Sequence, residues 1–223
     1  MLLGSLKKYI TSLHQSTNRK YLDRMIDDKV ACMIEAKKYS FNYWDGDRRF
    51  GFGGYKYIPG RWKPMAEELI KDYNLNNGSK VLDVGCGKGF LLLELKKILP
   101  ELSIVGFDIS EYAINNLPDE LKSSCFIYDA KNKFKFKENE FNLVISINTI
   151  HNLKLYDLKN TIKEIERVGE KKYLATESYR NEKELFNLQC WALTCESFFD
   201  HDTWLEIFKE CNFTGDYEFI YFE

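Results

Sequence analysis

Three glycines at alternate positions are, by type and spacing, the residues best suited to receive a ligand. Gly85, Gly87 and Gly89 follow the apolar run 81–84 and precede the apolar run 90–95. Glycine has no Cβ and reaches positive φ without steric cost, so a ligand can approach the main chain of such a turn closely. The pattern therefore predicts a strand buried on both faces, a glycine turn and a helix.

The residue after the third glycine separates two classes of ligand. A dinucleotide fingerprint, G-x-G-x-x-G/A, needs a small residue where this chain has Phe90, so an NAD-dependent oxidoreductase is disfavoured. Asp83, two residues before the first glycine, suits a site that handles the ammonium group of an amino acid. The segment VLDVGCGKGF resembles motif I of the class I S-adenosylmethionine-dependent methyltransferases. This resemblance implies S-adenosylmethionine as the cofactor.

Polar residues also follow the next predicted strands. Asp108 lies about 20 residues after the glycine turn, where a carboxylate accepts hydrogen bonds from both ribose hydroxyls of a nucleotide. The resemblance, which covers about 75–177, implies that Asp129 accepts from the adenine amino group and that the strand ending at Asn148 faces the transferable methyl group. The cofactor-binding residues that it implies in this core are Asp83, Gly85, Cys86, Gly87, Asp108, Ile109, Asp129, Ala130 and Asn148.

An α/β fold would bring these residues to one edge of a sheet, because the carboxyl ends of parallel strands lie together. We expect a Rossmann-like, doubly wound, mostly parallel sheet in a single domain, with a cap and lid over 1–64 and the core over 65–223. Apolar spacings of three and four predict helices across 1–44. The family usually ends its sheet with two strands, the last antiparallel, whereas only one clear strand, 217–222, follows the predicted fifth strand here.

The stretch 44–64 combines glycine, aromatic and basic residues, and from Arg48 to Ala66 it has five basic residues and no acidic one. In this superfamily the segment before the first strand often folds over the methyl donor, so we predict a lid. Its aromatic residues can stack and its arginines can bind an anion, although an exposed loop with solvated charges is the alternative. Candidates for the donor's amino-acid end or the acceptor are Tyr55, Tyr57 and Arg61, and candidates for a phosphate or carboxylate of the acceptor are Arg48, Arg49 and Lys56.

Candidate acceptor-side residues follow the fourth and fifth predicted strands. His151 can take a proton from an acceptor hydroxyl or amine, because its ordinary pKa is near neutrality, or it can simply bond the backbone. Glu177 or Tyr179 can bind or deprotonate the acceptor, with a surface loop as the alternative. Trp191 or Glu196 can form one wall of the acceptor pocket, in a stretch, 185–199, whose apolar residues can share a helical face and pack in the core.

Composition limits the kinds of binding partner that we expect. With 32 basic and 34 acidic residues, a net charge of −2 gives no electrostatic reason to expect nucleic acid. The six cysteines show no C-x-x-C spacing, which indicates free thiols in a reducing cytoplasm and no metal site. No apolar run is long enough to span a membrane, and the start lacks a secretion signal. We therefore expect a cytoplasmic enzyme with a small-molecule acceptor.

The acceptor itself is the least determined part of the prediction. The aromatic and basic lid suggests a small anionic or phosphorylated molecule. GGYKYIPGRWKP together with ESYRNE resembles methyltransferases encoded with bacterial surface-polysaccharide genes, which implies O- or N-methylation of a capsule or O-antigen precursor. Methylation of RNA or protein, or a non-catalytic scaffold that binds the cofactor, are the alternatives. The sequence leaves the oligomeric state open.

Overall fold

A six-stranded sheet forms the centre of the computed structural model, which describes residues 2–17 and 19–223. Its strands, in the spatial order β3-β2-β1-β4-β5-β6, are all parallel to their neighbours. They are β1 (Lys80–Val84), β2 (Ser103–Asp108), β3 (Cys125–Ile127), β4 (Phe141–Ile147), β5 (Gly169–Glu177) and β6 (Asp216–Ile220). The predicted doubly wound α/β fold is confirmed, and a single strand follows β5.

Ten α-helices are described around this sheet and over its carboxyl edge. They are α1 (Thr11–Gln15), α2 (Tyr21–Ile26), α3 (Lys29–Ala36), α4 (Phe41–Trp44), α5 (Lys63–Asp72), α6 (Phe90–Ile98), α7 (Glu111–Asn115), α8 (Leu155–Val168), α9 (Glu182–Trp191) and α10 (His201–Glu210). Short 3-10 turns lie at Arg48–Phe50, Asp119–Leu121 and Ile150–Asn152.

Alternation along the strands builds a separate apolar cluster on each face of the sheet. In β1, Val81 belongs to the cluster that includes residues of α5, α6 and α9, whereas Leu82 belongs to the one that includes α8 and α10. Both residues are completely buried. Helix α8 shows why these elements form, since Leu158 and Ile162, spaced by one turn, are buried on the face toward the sheet. The two faces together hold the carboxyl edge of the sheet in a fixed geometry.

The N-terminal part differs from the prediction of helices across 1–44. Residues 2–10 run beside β6 instead, where Lys7 N donates to Tyr217 O at 2.8 Å, and helix α1 begins only at Thr11. The reason is Glu218 of β6, which is 1% exposed and accepts hydrogen bonds from the main-chain N–H groups of residues 9–11. Residues 1 and 18 of this stretch lie outside the described residues.

The helical face predicted across 185–199 is also only partly right. Helix α9 ends at Trp191, and residues 192–199 form no helix. Glu196 N and Ser197 N both donate to the carbonyl oxygen of His151 at 3.0 Å, which holds this segment against the end of β4. Tertiary hydrogen bonds have therefore replaced a helix that the apolar spacing alone favoured.

Within the described residues, no helix is both long and apolar enough to cross a membrane. In the same part of the chain, no group of three His, Cys, Asp or Glu side chains is placed to hold a metal ion.

Candidate active site

A cavity of about 770 Å³ lies at the carboxyl ends of the first five strands. Its floor includes the glycine turn after β1 and polar residues at the ends of β2, β4 and β5, and its roof comes from the segment before β1. The sheet order reverses between β1 and β4, and ligands of doubly wound sheets bind at this switch point.

The glycine turn is held to β2 by main-chain hydrogen bonds. Gly85 N and Cys86 N both donate to the carbonyl oxygen of Phe107, at 2.8 and 3.0 Å. Gly85 has a φ of 81°, and a Cβ at this position would lie 2.1 Å from Thr149 Oγ1. Only glycine therefore allows the turn and the end of β4 to approach each other this closely.

Two buried carboxyl groups flank the turn. Asp108 accepts hydrogen bonds from Gly87 N and Ser110 N, both at 2.8 Å, and burial nevertheless raises its pKa. Burial, and then the charge of Asp108, raise the pKa of Asp83 to about 8. No donor or cation among the described residues pairs with the Asp83 carboxyl group. An unpaired carboxyl group beside the turn is suited to receive a cationic part of a ligand.

The other predicted cofactor residues of the core also line this cavity. Ile109 is about half exposed, and Asp129 forms an ion pair with Lys131 at 3.4 Å. Asn148 adopts a left-handed conformation with a φ of 53°, and its carbonyl oxygen accepts from Asn152 Nδ2 at 3.1 Å. The structure thus brings Asp83, Gly85, Cys86, Gly87, Asp108, Ile109, Asp129, Ala130 and Asn148 together around one space.

Aromatic residues from the predicted lid cover the glycine turn. The Trp44 ring lies against Gly87, where an added Cβ would be 2.8 Å from Trp44 Cη2, and it stacks on Phe52 with ring centroids 5.2 Å apart. Tyr55 stacks on Phe90 at 5.0 Å. The aromatic residue that occupies the small-residue position of a dinucleotide fingerprint therefore supports the roof of this cavity.

An ion pair fastens the same roof to the turn. Lys88, between the second and third glycines, pairs with Asp45 at 2.6 Å and donates to the carbonyl oxygen of Tyr55 at 2.9 Å. Both charged side chains are largely buried. The roof and the glycine turn are consequently one connected unit.

His151 and Glu177 form a close pair where the 3-10 turn after β4 meets the end of β5. His151 Nε2 lies 3.5 Å from Glu177 Oε2, and Nδ1 lies 3.5 Å from Thr176 Oγ1. Burial lowers the pKa of His151, an effect that the Glu177 charge opposes. A neutral imidazole beside a carboxylate can accept a proton, and the carboxylate then stabilises the imidazolium.

The remaining predicted acceptor-side residues divide into two groups. Those that line the cavity are Arg48, Tyr55, Lys56, Arg61, Trp191 and Glu196. Arg49, Tyr57 and Tyr179 do not line it, and each has a partner elsewhere. Arg49 pairs with Asp27 at 2.7 Å, the Tyr57 hydroxyl donates to Glu94, and Tyr179 forms a strand bridge with Asp200.

The sequence did not reveal several residues of the cavity wall. Arg19 and Arg24 lie in a stretch for which only helices were predicted, but both line the cavity beside Trp191. Their partner is far away in the sequence, since Arg24 Nε donates to the carbonyl oxygen of Trp191 across 167 residues. No local pattern could indicate such a contact. Thr149 and Tyr43 also line the cavity.

A doubly wound parallel sheet, a glycine turn after β1 and acids at the ends of β1 and β2 define the class I methyltransferase fold. A family model described as a methyltransferase domain matches residues 75–212, which is more than half of the chain. The chain therefore belongs to this methyltransferase family.

One curated relative also matches, over a short segment of the chain. The demethylmenaquinone methyltransferase of Symbiobacterium thermophilum is 36% identical over 53 residues, which are 23% of this chain and 21% of that enzyme. This match spans only about a fifth of the relative's length. It supports the family and leaves the substrate open.

Two solved structures share the fold. The YcgJ protein of Bacillus subtilis superposes with a TM-score of 0.53 at 15% identity, over 66% of each chain. Geranyl diphosphate methyltransferase, solved with GPP and sinefungin, gives a TM-score of 0.53 at 13% identity, over 65% of this chain and 57% of that one.

Proposed function

We propose that this protein transfers the methyl group of S-adenosylmethionine to an oxygen or nitrogen atom of a small anionic acceptor. The observation that carries the proposal is the unpaired, buried Asp83 carboxyl group beside a glycine turn that also holds Asp108. A ligand with a cationic amino-acid end and a ribose matches these two groups.

The residues of the cavity fit this cofactor. Asp83 would attract its ammonium group, Asp108 would accept from its ribose hydroxyls, and Asp129 with Ala130 would contact its adenine. Asp108 already accepts two main-chain hydrogen bonds, so its carboxylate is held in one orientation before any ligand arrives. When bound, the cofactor supplies an electrophilic methyl group on a sulfonium.

The protein's part in methyl transfer is mainly to position the two reactants, because displacement at a sulfonium needs little covalent help from side chains. His151 is the candidate base for the proton that the acceptor loses, and Glu177 stabilises the resulting imidazolium from 3.5 Å. The aromatic roof of Trp44 and Tyr55 covers Gly87 and Phe90 and would limit the access of water to the bound reactants.

The acceptor that we propose is small and carries negative charge, and a surface-polysaccharide precursor is one member of this class. Two features support the proposal. Basic residues line the cavity, among them Arg48 and Arg61, and the stretches GGYKYIPGRWKP and ESYRNE resemble those of methyltransferases encoded with surface-polysaccharide genes.

Calorimetric titration with S-adenosylmethionine and, separately, with NAD tests the cofactor half. We expect binding of S-adenosylmethionine only, weakened by about 1–3 kcal/mol in Asp108→Ala because buried polar groups lose a partner. Asp72→Ala, a change at a carboxyl group that pairs with Lys7 away from the cavity, is the control and should bind as the wild type does. Preference for NAD, or no binding of either ligand, would refute the proposal.

Turnover with a panel of nucleotide-linked sugars and other phosphorylated small molecules tests the acceptor half. We expect His151→Ala and Glu177→Gln to lose most of the turnover while they still bind S-adenosylmethionine. Cofactor binding without turnover on any anionic acceptor would favour a non-catalytic protein instead.

A further inference from the structure

Three arginines converge on one tryptophan in the cavity wall. The guanidinium carbons of Arg19, Arg24 and Arg48 lie 5.4, 4.4 and 5.0 Å from the centre of the Trp191 ring. They come from three places, since Arg24 belongs to α2, Arg48 begins a 3-10 turn, and Arg19 precedes α2. All four residues line the cavity that contains His151. We name these three side chains the arginine cluster.

No member of the arginine cluster forms an ion pair within the described part of the chain. Their hydrogen bonds go mainly to neutral carbonyl oxygens. Arg24 donates to the carbonyl oxygens of Trp191 and Arg48, at 3.0 and 2.9 Å, and Arg48 donates to those of Gly51 and Phe52, at 2.7 and 2.9 Å. Nη2 of Arg24 and Nη2 of Arg48 have no acceptor among the described residues. Each therefore has donors left for a ligand.

Concentrated, partly buried positive charge is unfavourable without a counter-charge. Burial, followed by the charge of Arg48, lowers the pKa of Arg24 to about 10. Burial also lowers the pKa values of Arg19 and Arg48. These shifts agree with the geometry, because an anion bound between the guanidinium groups would remove the repulsion.

The charge balance favours an anion with more than one negative charge. Glu177 lines the same cavity and its charge acts on Arg19, while Glu196 is already paired with Lys37 at 2.5 Å. Three guanidinium groups against the Glu177 carboxylate leave an excess of about two positive charges. A phosphate or diphosphate group neutralises this excess, and the planar guanidinium fork matches its oxygen atoms.

We propose that the arginine cluster, with Trp191 as its platform, binds a phosphate or diphosphate group carried by the acceptor. This inference rests on the proposed function, because it assigns the anionic part of the acceptor to one place in the same cavity. The alternative is a purely structural clamp that joins α2 and the Arg48 turn to α9.

Calorimetry with inorganic pyrophosphate at constant ionic strength tests the site without any methyl transfer. We expect Arg24→Gln and Arg48→Gln each to weaken binding at least tenfold, whereas Arg24→Lys, which keeps the charge but loses the planar fork, has an intermediate loss. Arg49→Gln is the matched control, because this arginine is adjacent in sequence but pairs with Asp27 outside the cavity. Its affinity should stay within twofold of the wild type.

Three further ligands test which class of anion the arginine cluster binds. Inorganic phosphate and glycerol 3-phosphate, which is a monoester, should both bind more tightly than acetate. Affinity for acetate equal to that for phosphate would overturn the charge argument, and binding of phosphate without the ester would overturn the placement on an organic acceptor. No pyrophosphate binding by the wild type, or an equal loss in Arg49→Gln, would overturn the site itself.

Titration of the same samples with S-adenosylmethionine separates this inference from the proposed function. Cofactor binding without pyrophosphate binding would refute the anion site and leave the methyltransferase proposal standing. Pyrophosphate binding without cofactor binding would refute the methyltransferase proposal and leave the anion site standing. A clamp predicts that Arg24→Gln lowers the melting temperature but leaves pyrophosphate affinity unchanged, which would also refute the site.

Discussion

The protonation of Asp83 predicts an unusual dependence of stability on pH. Its pKa of about 8 in the folded protein is far above the ordinary 3.8, so between pH 4 and pH 8 the folded protein holds a proton that the unfolded chain has released. The contribution of Asp83 to stability therefore falls as pH rises through this window. One proton contributes a slope of about 1.4 kcal/mol per pH unit, so between pH 5 and pH 7 the Asp83 contribution to the free energy of unfolding falls by about 3 kcal/mol.

Asp83→Asn removes this proton while it keeps the shape of the side chain. We expect the free energy of unfolding of the variant, relative to that of the wild type, to rise by about 3 kcal/mol between pH 5 and pH 7, as measured by urea unfolding at both values. Asp72→Asn is the control, because hydrogen bonds from Tyr9 and Lys7 lower the pKa of Asp72 and leave it ionised throughout this range. A difference between wild type and Asp83→Asn that does not change with pH would show that Asp83 is ionised in the folded protein.

Four further results are expected. Gly85→Ala should destabilise the fold by about 2 kcal/mol or more in urea unfolding, because the added Cβ would lie 2.1 Å from Thr149 Oγ1. Gly60 is also at positive φ but has open space around it, so Gly60→Ala should cost only about 1 kcal/mol. Lys88→Met should cost about 2 kcal/mol, because Asp45 loses its cation and keeps only the hydrogen bonds from Tyr55 N and the Tyr112 hydroxyl, and faster limited proteolysis of the roof should accompany the loss. Because burial lowers the pKa of His151, the acid limb of the pH–rate profile should lie below pH 6.5, and a limb above it would argue against this base. Binding of S-adenosylmethionine at pH 6.5 should release a proton from the buried acid of β1, which calorimetry in two buffers of different ionisation enthalpy measures.

The parts of the fold that sequence predicted correctly depend on neighbouring residues. The residue types at a few adjacent positions predict the strand, turn and helix around Gly85. The amphipathic spacing of α8 is visible in its own sequence in the same way. The grouping of the acids around one cavity was predictable for the same reason, because Asp83 and Asp108 lie at the ends of strands and Asp129 follows β3 by two residues. Phe90 was interpreted as disfavouring a dinucleotide, but its stacking with Tyr55 could not be inferred from the residue type.

The parts that sequence missed depend on contacts between distant positions. Helical spacing continues through residues 2–10, yet hydrogen bonds to Glu218 hold this segment beside β6. Arg19 and Arg24 lie in a stretch with helical spacing, and nothing in that stretch indicates Trp191, far along the chain, whose ring both guanidinium groups approach. Apolar spacing records which face of an element is buried, but not which distant residue covers it.

The hydrogen bonds between Glu218 and residues 9–11 determine when the N-terminal segment can dock on the sheet during protein synthesis. Thr11 leaves the ribosome 207 residues before its partner on β6. At about 5–20 residues per second this is a delay of about 10–40 s. During that time the N-terminal segment has no β6 to dock against, and the roof of the cavity that follows it lacks a fixed attachment on this side. Residues 9–11 are therefore made long before they can reach their place, and a nascent chain becomes able to enclose its ligands only when synthesis of the sheet is complete.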